Sequence, residues 1–476
     1  MPYMERPLLK HAGLFTDYYE LTMAQGWVFS GRADEPSVFD YTFRQNPFGG
    51  GYTLFAGLAD LLEALENLSF DDEDLKALKG MGFKKPFLEF LKSFRFRGTV
   101  HSAREGEVVF PLEPVLRVEG GLVECQMVET LLLNVLNFQS LVATKAARVV
   151  QAAQGRRVVE FGLRRAQGLA GLSASRAAAV GGAEATSNVA ASALWGLTPT
   201  GTLGHSWIQS FPDELTAFRA WAELNPDACV LLVDTYDTLA SGVPNAVRVA
   251  RELEAKGSQL LGIRLDSGDL AYLSKKARSL LDAAGLHAVK ILVSNQLDEH
   301  IVKSLLDQKA PINAFGVGTR LVTAEGSGAL DGVYKLCESG GQPRLKVSDN
   351  LAKATLPGAK KLVRYADADG AFVADGILLT NEKAVSTIYH PTQTAQKSRV
   401  SHLLPENLLY KMMEKGRTLA RWTAADAAAT ARKRLGSLPP EHKRFENPHV
   451  YKVGLSRALT DLRRDLMGRV LGDTEE

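Results

Sequence analysis

The sequence predicts an α/β fold whose core is a set of parallel strands joined by crossover helices. Two observations predict it. From about residue 155 to 320, short β-branched apolar runs alternate with longer segments of helical period, and polar or glycine residues gather directly after each run. The first strand is expected at 157–161, followed by Arg164 and Arg165, and the second at 200–204, ending at His205. The third, at 229–233, runs into Asp234 and Asp237, and the fourth, at 259–264, into Asp266 and Asp269. The fifth, at 290–293, is followed by Ser294 and Asn295, and the sixth, at 314–317, by Gly318 and Thr319. Between the third and fourth, Val247, Ala250 and Leu253 share one face of a helix over 245–256, leaving Arg251 and Glu252 to water. A closed α/β barrel and an open doubly wound sheet both satisfy this pattern. In a barrel the strand ends converge on one mouth.

The flanks read differently. Residues 1–140 mix helix and strand signals, 141–365 hold the alternating core, and 366–476 run from a short apolar segment into a charge-rich tail. Within that tail, the alanine-rich stretch from Ala424 to Ala431, with Arg421, Arg432 and Lys433 around it, reads as an amphipathic helix. A chain of 476 residues corresponds to roughly two to three domains. Its 56 basic and 54 acidic side chains leave a formal charge of +2 with no long block of one sign, which argues against a nucleic-acid partner. Cys125, Cys229 and Cys337 are too scattered for a metal pair or a disulfide framework, which fits a reducing compartment. The opening Met1-Pro2-Tyr3-Met4-Glu5-Arg6 is no charged-then-apolar leader, and the apolar runs are short. A cytoplasmic protein without a membrane anchor is therefore expected.

Several strand ends carry chemistry. Arg264-Leu265-Asp266-Ser267-Gly268-Asp269 places a cation, two carboxylates, a hydroxyl and a glycine together. A polyphosphorylated sugar needs such a set, with carboxylates for magnesium or ribose hydroxyls and arginine for developing negative charge. A turn in which Asp266 or Ser267 caps the next helix also accounts for it. Phe315-Gly316-Val317-Gly318-Thr319-Arg320 offers backbone N–H groups and a hydroxyl to an anion, without the third glycine of a dinucleotide fingerprint. His205 lies between small residues at a strand end, where Asp234 or Asp237 from the next strand could orient its ring; a packed structural histidine is the plainer reading. Arg164 suits a bidentate contact to a planar carboxylate, with Phe161 stacked on its ring. Lys335, Lys346 and Lys353, with Lys360, Lys361 and Arg364 behind them, form either a solvated basic face or a phosphate-contacting segment.

Taken in order, these stretches resemble the nicotinate phosphoribosyltransferase family over nearly the whole chain. The resemblance begins at Thr16-Asp17-Tyr18-Tyr19-Glu20-Leu21-Thr22 and Phe43-Arg44-Gln45-Asn46-Pro47-Phe48-Gly49-Gly50, and continues through Glu160-Phe161-Gly162-Leu163-Arg164-Arg165 and Thr186-Ser187-Asn188-Val189. It includes Gly201-Thr202 with His205-Ser206, Arg264 to Asp269, Gly316-Val317-Gly318-Thr319, and Asn447-Pro448-His449 with Tyr451. It implies a TIM-like barrel flanked by an N-terminal α+β domain and a smaller C-terminal region packed on that domain. It also implies a homodimer in which each N-terminal segment completes the partner's pocket. By position, Tyr19 and Phe161 would sandwich nicotinate, Arg164 would face its carboxylate, and Thr202, Ser187 and Arg264 would line the cavity. Asp266 would hold ribose or magnesium, and Gly318 and Thr319, with Lys335, Lys346 and Lys353, would bind phosphoribosyl pyrophosphate. His205 matches the histidine that the family phosphorylates from ATP.

The implied reaction makes nicotinate mononucleotide for NAD synthesis, with magnesium and ATP as co-reactants. Two alternatives are a nicotinamide phosphoribosyltransferase and a non-catalytic scaffold of the same fold. Nicotinamide-using relatives carry an aspartate where this chain has Ser187, and an aspartate would accept from an amide but repel a carboxylate. Gln296 stands where many relatives have aspartate, and Ala183-Glu184-Ala185 stands where they often have aspartate and glycine.

Overall fold

The computed structural model describes residues 12–347, 355–393 and 395–471. It has two compact units, Lys145–Glu325 and the discontinuous Met1–Thr144 with Gly326–Glu476.

The first of these is a parallel half-barrel. Its six strands lie in the order Ala185–Thr186, Arg157–Glu160, Ala314–Val317, Lys290–Ser294, Gly262–Leu265 and Val230–Leu232. Every ladder between them is parallel. The two end strands are not paired with each other among the described residues. Five expected strands are present, with bounds shifted by a few residues at most. The strand expected at 200–204 is absent. Pro199 makes a single bridge to Thr186, and the backbone N–H of Thr200 donates to Thr186 O at 2.9 Å. Beyond that the chain is irregular up to the helix His205–Gln209. Pro199 has no N–H for a ladder, and Gly201 and Gly204 give a strand nothing to pack. The sixth strand is instead Ala185–Thr186, too short to show any alternation in sequence.

Branched side chains fill this sheet, with Ile263, Leu265, Val293, Phe315 and Val317 fully buried. The covering helices are stopped and started as their sequences dictate. Val243–Ala255 buries Val243, Ala246, Val249, Ala250 and Leu253 on one face. Asp269 caps Leu270–Ala283 by accepting from Tyr272 N, and Asp298 caps Glu299–Asp307 by accepting from Ile301 N. Beneath them Glu299, 1 % exposed, meets Lys145 at 2.7 Å and Arg148 at 2.8 Å.

The other unit holds two larger sheets. One is antiparallel, in the order Gln342–Pro343, Gly332–Ser339, Pro36–Phe43, Leu116–Gly121, Thr99–Ser102, Tyr410–Glu414 and Arg417–Thr418. The second is mixed, and in it Phe372–Leu379 runs between Lys360–Ala366 and a parallel partner, Lys452–Leu455. Strands from both ends of the chain thus build one unit. The alanine-rich stretch forms the helix Ala424–Ser437, started by a capping box of Thr423 and Asp426. Leu122–Ala152 is long and apolar enough to cross a membrane by length and composition, and 67 % of its most apolar window is buried in the protein. Its hydroxyls are bonded inward: Ser140 Oγ accepts from Ala56 N at 3.0 Å and Thr144 Oγ1 from Leu54 N at 2.9 Å. The three cysteines are free thiols and buried.

Candidate active site

The half-barrel gathers its polar side chains where the strands end. Arg264, only 12 % exposed, stands near the end of Gly262–Leu265 and is held from three sides. Its Nε donates to Ser294 Oγ at 2.9 Å, Nη1 to Thr202 Oγ1 at 3.0 Å and Nη2 to Asp266 Oδ1 at 2.9 Å. Ser294 Oγ in turn donates to Asp266 Oδ1. The guanidinium carbon lies 5.4 Å from the Phe161 ring centre, within cation–π range. These contacts fix the fork of the arginine while leaving part of its donor set for a ligand.

Asp266 does not cap the following helix; Asp269 does. The Asp266 loop is held from below by Asp234, whose Oδ2 accepts from Asp266 N at 2.7 Å and Ser267 Oγ at 2.6 Å. The outer oxygen, Asp266 Oδ2, is 3.7 Å from His205 Nε2. The other ring nitrogen, His205 Nδ1, lies 3.1 Å from Thr235 Oγ1. Asp237, expected to orient His205, is exposed and accepts from Leu239 N and Ala240 N as a helix cap. The carboxylate facing the imidazole is that of Asp266, because the third strand stops at Leu232 and the chain has turned by Asp237.

Glu160, fully buried, organises the first strand end. It accepts from Gly162 N, from Ser175 Oγ at 2.8 Å and from Thr186 Oγ1 at 2.5 Å. These bonds tie the Phe161–Gly162 turn to the segment bearing Ser187, whose N–H donates to Glu160 O at 2.9 Å. One backbone N–H and two hydroxyls thus donate to this buried carboxylate. Phe161 lies close over Gly316, where a Cβ would meet its ring at 2.5 Å, so the aromatic position requires that glycine. Arg164 lies exposed in the short turn Leu163–Arg165. Half-buried Gly318 and Thr319 open the helix Thr319–Val322. Asn295 and Gln296 follow the fifth strand with φ of 93° and 47°, a consecutive left-handed pair exposed at the strand end.

The structure thus brings Phe161, Thr202, His205, Arg264 and Asp266 into one cluster. It adds Ser294, Thr235, Asp234 and Glu160, whose roles the sequence reading missed. The signal for Glu160 was its place in Glu160-Phe161-Gly162, and for Ser294 its place directly after a strand. In the other unit, Tyr19 and Lys335 meet a shared carboxylate. Lys335 Nζ lies 3.1 Å from Glu129 Oε1, and Tyr19 lines one pocket with the same carboxylate. Burial, then the carboxylates of Glu129, Glu20 and Asp17, push the Tyr19 phenol well above its ordinary value. Lys335 and Lys346 line a small cavity of about 80 Å³ with Arg44 and Lys360. Lys353 lies outside the described residues.

Three successive regions of the chain match domains of one family: the nicotinate phosphoribosyltransferase (NAPRTase) N-terminal domain at 14–137, the NAPRTase family at 156–386 and the NAPRTase C-terminal domain at 359–463. A nicotinate phosphoribosyltransferase of Bacillus subtilis is 42 % identical over 455 residues, covering 93 % of this chain and 92 % of that protein. One from Dictyostelium discoideum is 37 % identical over 516 residues, with 95 % and 88 % covered. The crystal structure of human nicotinic acid phosphoribosyltransferase superposes with a TM-score of 0.84 at 33 % identity, covering 95 % of this chain and 99 % of that one. Full-length similarity of this order, across bacteria and eukaryotes and on the same fold, means that the chain belongs to the nicotinate phosphoribosyltransferase family.

Proposed function

We propose that this protein transfers the phosphoribosyl group of phosphoribosyl pyrophosphate to nicotinate, giving nicotinate mononucleotide and pyrophosphate for NAD synthesis. The observation that carries this reading is the Arg264 cluster: a cation held by Ser294, Thr202 and Asp266 beside an aromatic ring, at the ends of parallel strands. Phe161 would stack on the pyridine ring and Arg164 would pair with its carboxylate. Ser187, in the segment tied to Glu160, keeps that end of the pocket free of an aspartate, which favours an acid over an amide. Arg264 would draw charge from the departing pyrophosphate as the ribose gains oxocarbenium character and the ring nitrogen attacks. Gly318 and Thr319 would seat the ribose phosphate. Rate enhancement would come from positioning and from preorganised electrostatics, with no protein nucleophile on the sugar.

Magnesium enters this reading with its pyrophosphate substrate. Asp266 Oδ1 is occupied by Arg264 and Ser294, while Oδ2 is on the open side. No group of three or more His, Cys, Asp or Glu suited to a metal exists among the described residues. One carboxylate edge suits a cation that keeps its waters and arrives on phosphates. The ion would supply charge neutralisation on the leaving pyrophosphate.

The wider assembly in this reading is a cytoplasmic homodimer. The half-barrel is completed as a TIM-like barrel within 141–365, and 366–476 packs on 1–140. Tyr19 serves the site of a second copy, and Lys335, Lys346 and Lys353 contact phosphoribosyl pyrophosphate. ATP is a co-substrate, and its γ-phosphoryl passes to His205. With Nδ1–H donating to Thr235, Nε2 carries the attacking lone pair; the N–P bond forms as the P–O bond to ADP breaks. His205→Ala is expected to abolish acid-labile phosphate incorporation and ATP hydrolysis while leaving slow, ATP-insensitive synthesis of nicotinate mononucleotide. A folded His205→Ala protein that still takes phosphate from ATP rejects this assignment. For the transfer itself, turnover of radiolabelled nicotinate against nicotinamide is the test: preference for nicotinamide, or turnover of neither, overturns the proposal.

A further inference from the structure

A cavity of about 420 Å³ is lined by residues of neither the Arg264 cluster nor the lysine segment. It lies in the discontinuous unit, between residues 388–392 and 396–398, residues 110–112 and the stretch 448–454. The Asn447-Pro448-His449 and Tyr451 motif therefore forms one of its walls, and the proposed transfer leaves that motif without a role.

Its floor is aromatic and rigid. The Tyr451 and Phe110 rings stack at 3.7 Å, and the Tyr451 hydroxyl donates to buried Asp375 at 3.0 Å. Its rim is basic: Lys397, Lys452, His390 and His449 line it, and no Asp or Glu does. Neither lysine is in an ion pair among the described residues. His390 Nδ1 accepts from Thr392 N at 3.3 Å and Gln393 N at 3.1 Å, which puts the neutral ring's proton on Nε2 as a donor. Behind the rim, Arg463 is 9 % exposed and donates to Pro391 O at 2.8 Å. Its Nε has no partner, and no carboxylate pairs with it among the described residues. Two unpaired lysines and a buried uncompensated arginine around a low-dielectric floor create a positive field that favours an anion. The volume is that of a small-molecule site.

We propose that this cavity binds an organic phosphate of mononucleotide size, its flat apolar body over the aromatic floor and its phosphate toward Lys397, Lys452 and His390 Nε2. The residues that line it are none of those assigned to the transfer, and the proposal does not depend on that reaction.

Equilibrium dialysis with radiolabelled AMP tests it, using the intact protein, Lys397→Ala/Lys452→Ala, Lys397→Arg/Lys452→Arg and Arg264→Ala. Both lysines are exposed, so the paired substitutions leave the core intact. Saturable binding is expected in the intact protein, weakened at least about tenfold by the alanine pair, as loss of two charge-assisted contacts implies, and kept by the arginine pair. It should persist in Arg264→Ala and weaken as salt rises. Absence of saturable binding overturns the proposal. So does binding lost in Arg264→Ala but unchanged in the alanine pair, which would place AMP in the transfer site.

Discussion

Two arginines in this molecule sit among the same chemical parts, and they differ in one physical respect. Arg264 and Arg364 each pair with an aspartate and lie beside a phenylalanine ring, at 5.4 Å for Phe161 and 4.3 Å for Phe372. The Arg264 side chain is 12 % exposed and its carboxylate partner 26 %, whereas Arg364 and Asp375 are 1 % and 0 % exposed. Arg364 spends its donors inside the protein, on Asp375, on Glu107 at 2.6 Å and on the Val108 carbonyl at 2.7 Å. Glu107 is shared with Arg434 at 2.7 Å, and Asp375 accepts from Tyr451. Arg264 is bonded to two hydroxyls and one half-open carboxylate, which orient it without consuming it. Closure to water makes the Arg364 cluster structural, and access leaves the Arg264 cluster open to a ligand.

The comparison breaks most readily at Arg264. Arg264→Ala should lower kcat/KM for nicotinate mononucleotide synthesis by about a hundred- to a thousandfold, the usual cost of removing a preorganised electrostatic contact, with little change in denaturation midpoint. A large loss of stability with retained turnover would reverse the two roles. Arg364→Met should do the opposite. It removes the only cation paired with buried Asp375 among the described residues and leaves Glu107 to Arg434 alone, and should cost about 3–5 kcal/mol in chemical denaturation, with turnover per folded chain unchanged.

Arg164→Ala sharpens the open side further, because the exposed Arg164, in the short turn Leu163–Arg165, makes no side-chain hydrogen bond or ion pair among the described residues. KM for nicotinate should rise roughly ten- to a hundredfold, with kcat less affected, as loss of a charge-assisted contact predicts. Unchanged nicotinate dependence would transfer that role to Arg165 or Arg264.

The smallest effect concerns pH and belongs to the closed side. Glu113 is fully buried and accepts from Phe110 N at 2.9 Å, with the Asp375 carboxylate beside it. Burial, reinforced by the Asp375 carboxylate, raises its carboxyl well above the ordinary value of 4.5. The folded protein therefore holds a proton that the unfolded chain releases. The stability this contributes is complete below about pH 4.5 and declines as pH rises through the raised folded value. Glu113→Gln keeps the shape and should flatten that part of the profile in denaturation series across pH. An equal slope in both proteins would remove Glu113 from the account.

The open site was more legible in the sequence than the closed one. Phe161, Arg264 and Asp266 follow or end strands whose apolar runs are local signals, so their convergence could be anticipated. Asp237 could not be separated from Asp266 as the partner of His205 on that basis. Both follow strands, and only the path of the chain after Leu232 turns Asp237 into a cap. The Arg364 cluster was read only as part of a basic stretch, since its carboxylates come from residues 107, 113 and 375 and its tyrosine from 451.

Read alone, the sequence carries the alternation of the core, five of its six strands and membership in a family through motifs spread over the chain. These depend on periodicity and on contacts within a few residues, which any window of the sequence contains. Tertiary structure alone decided that Ala185–Thr186 takes an edge of the half-barrel, that Ser294 and Thr202 hold Arg264, and that Tyr410–Glu414 pairs with Thr99–Ser102 across some three hundred residues. Such pairings are fixed by which surfaces remain to be buried once the local elements exist, and that is a property of the whole chain packing at once.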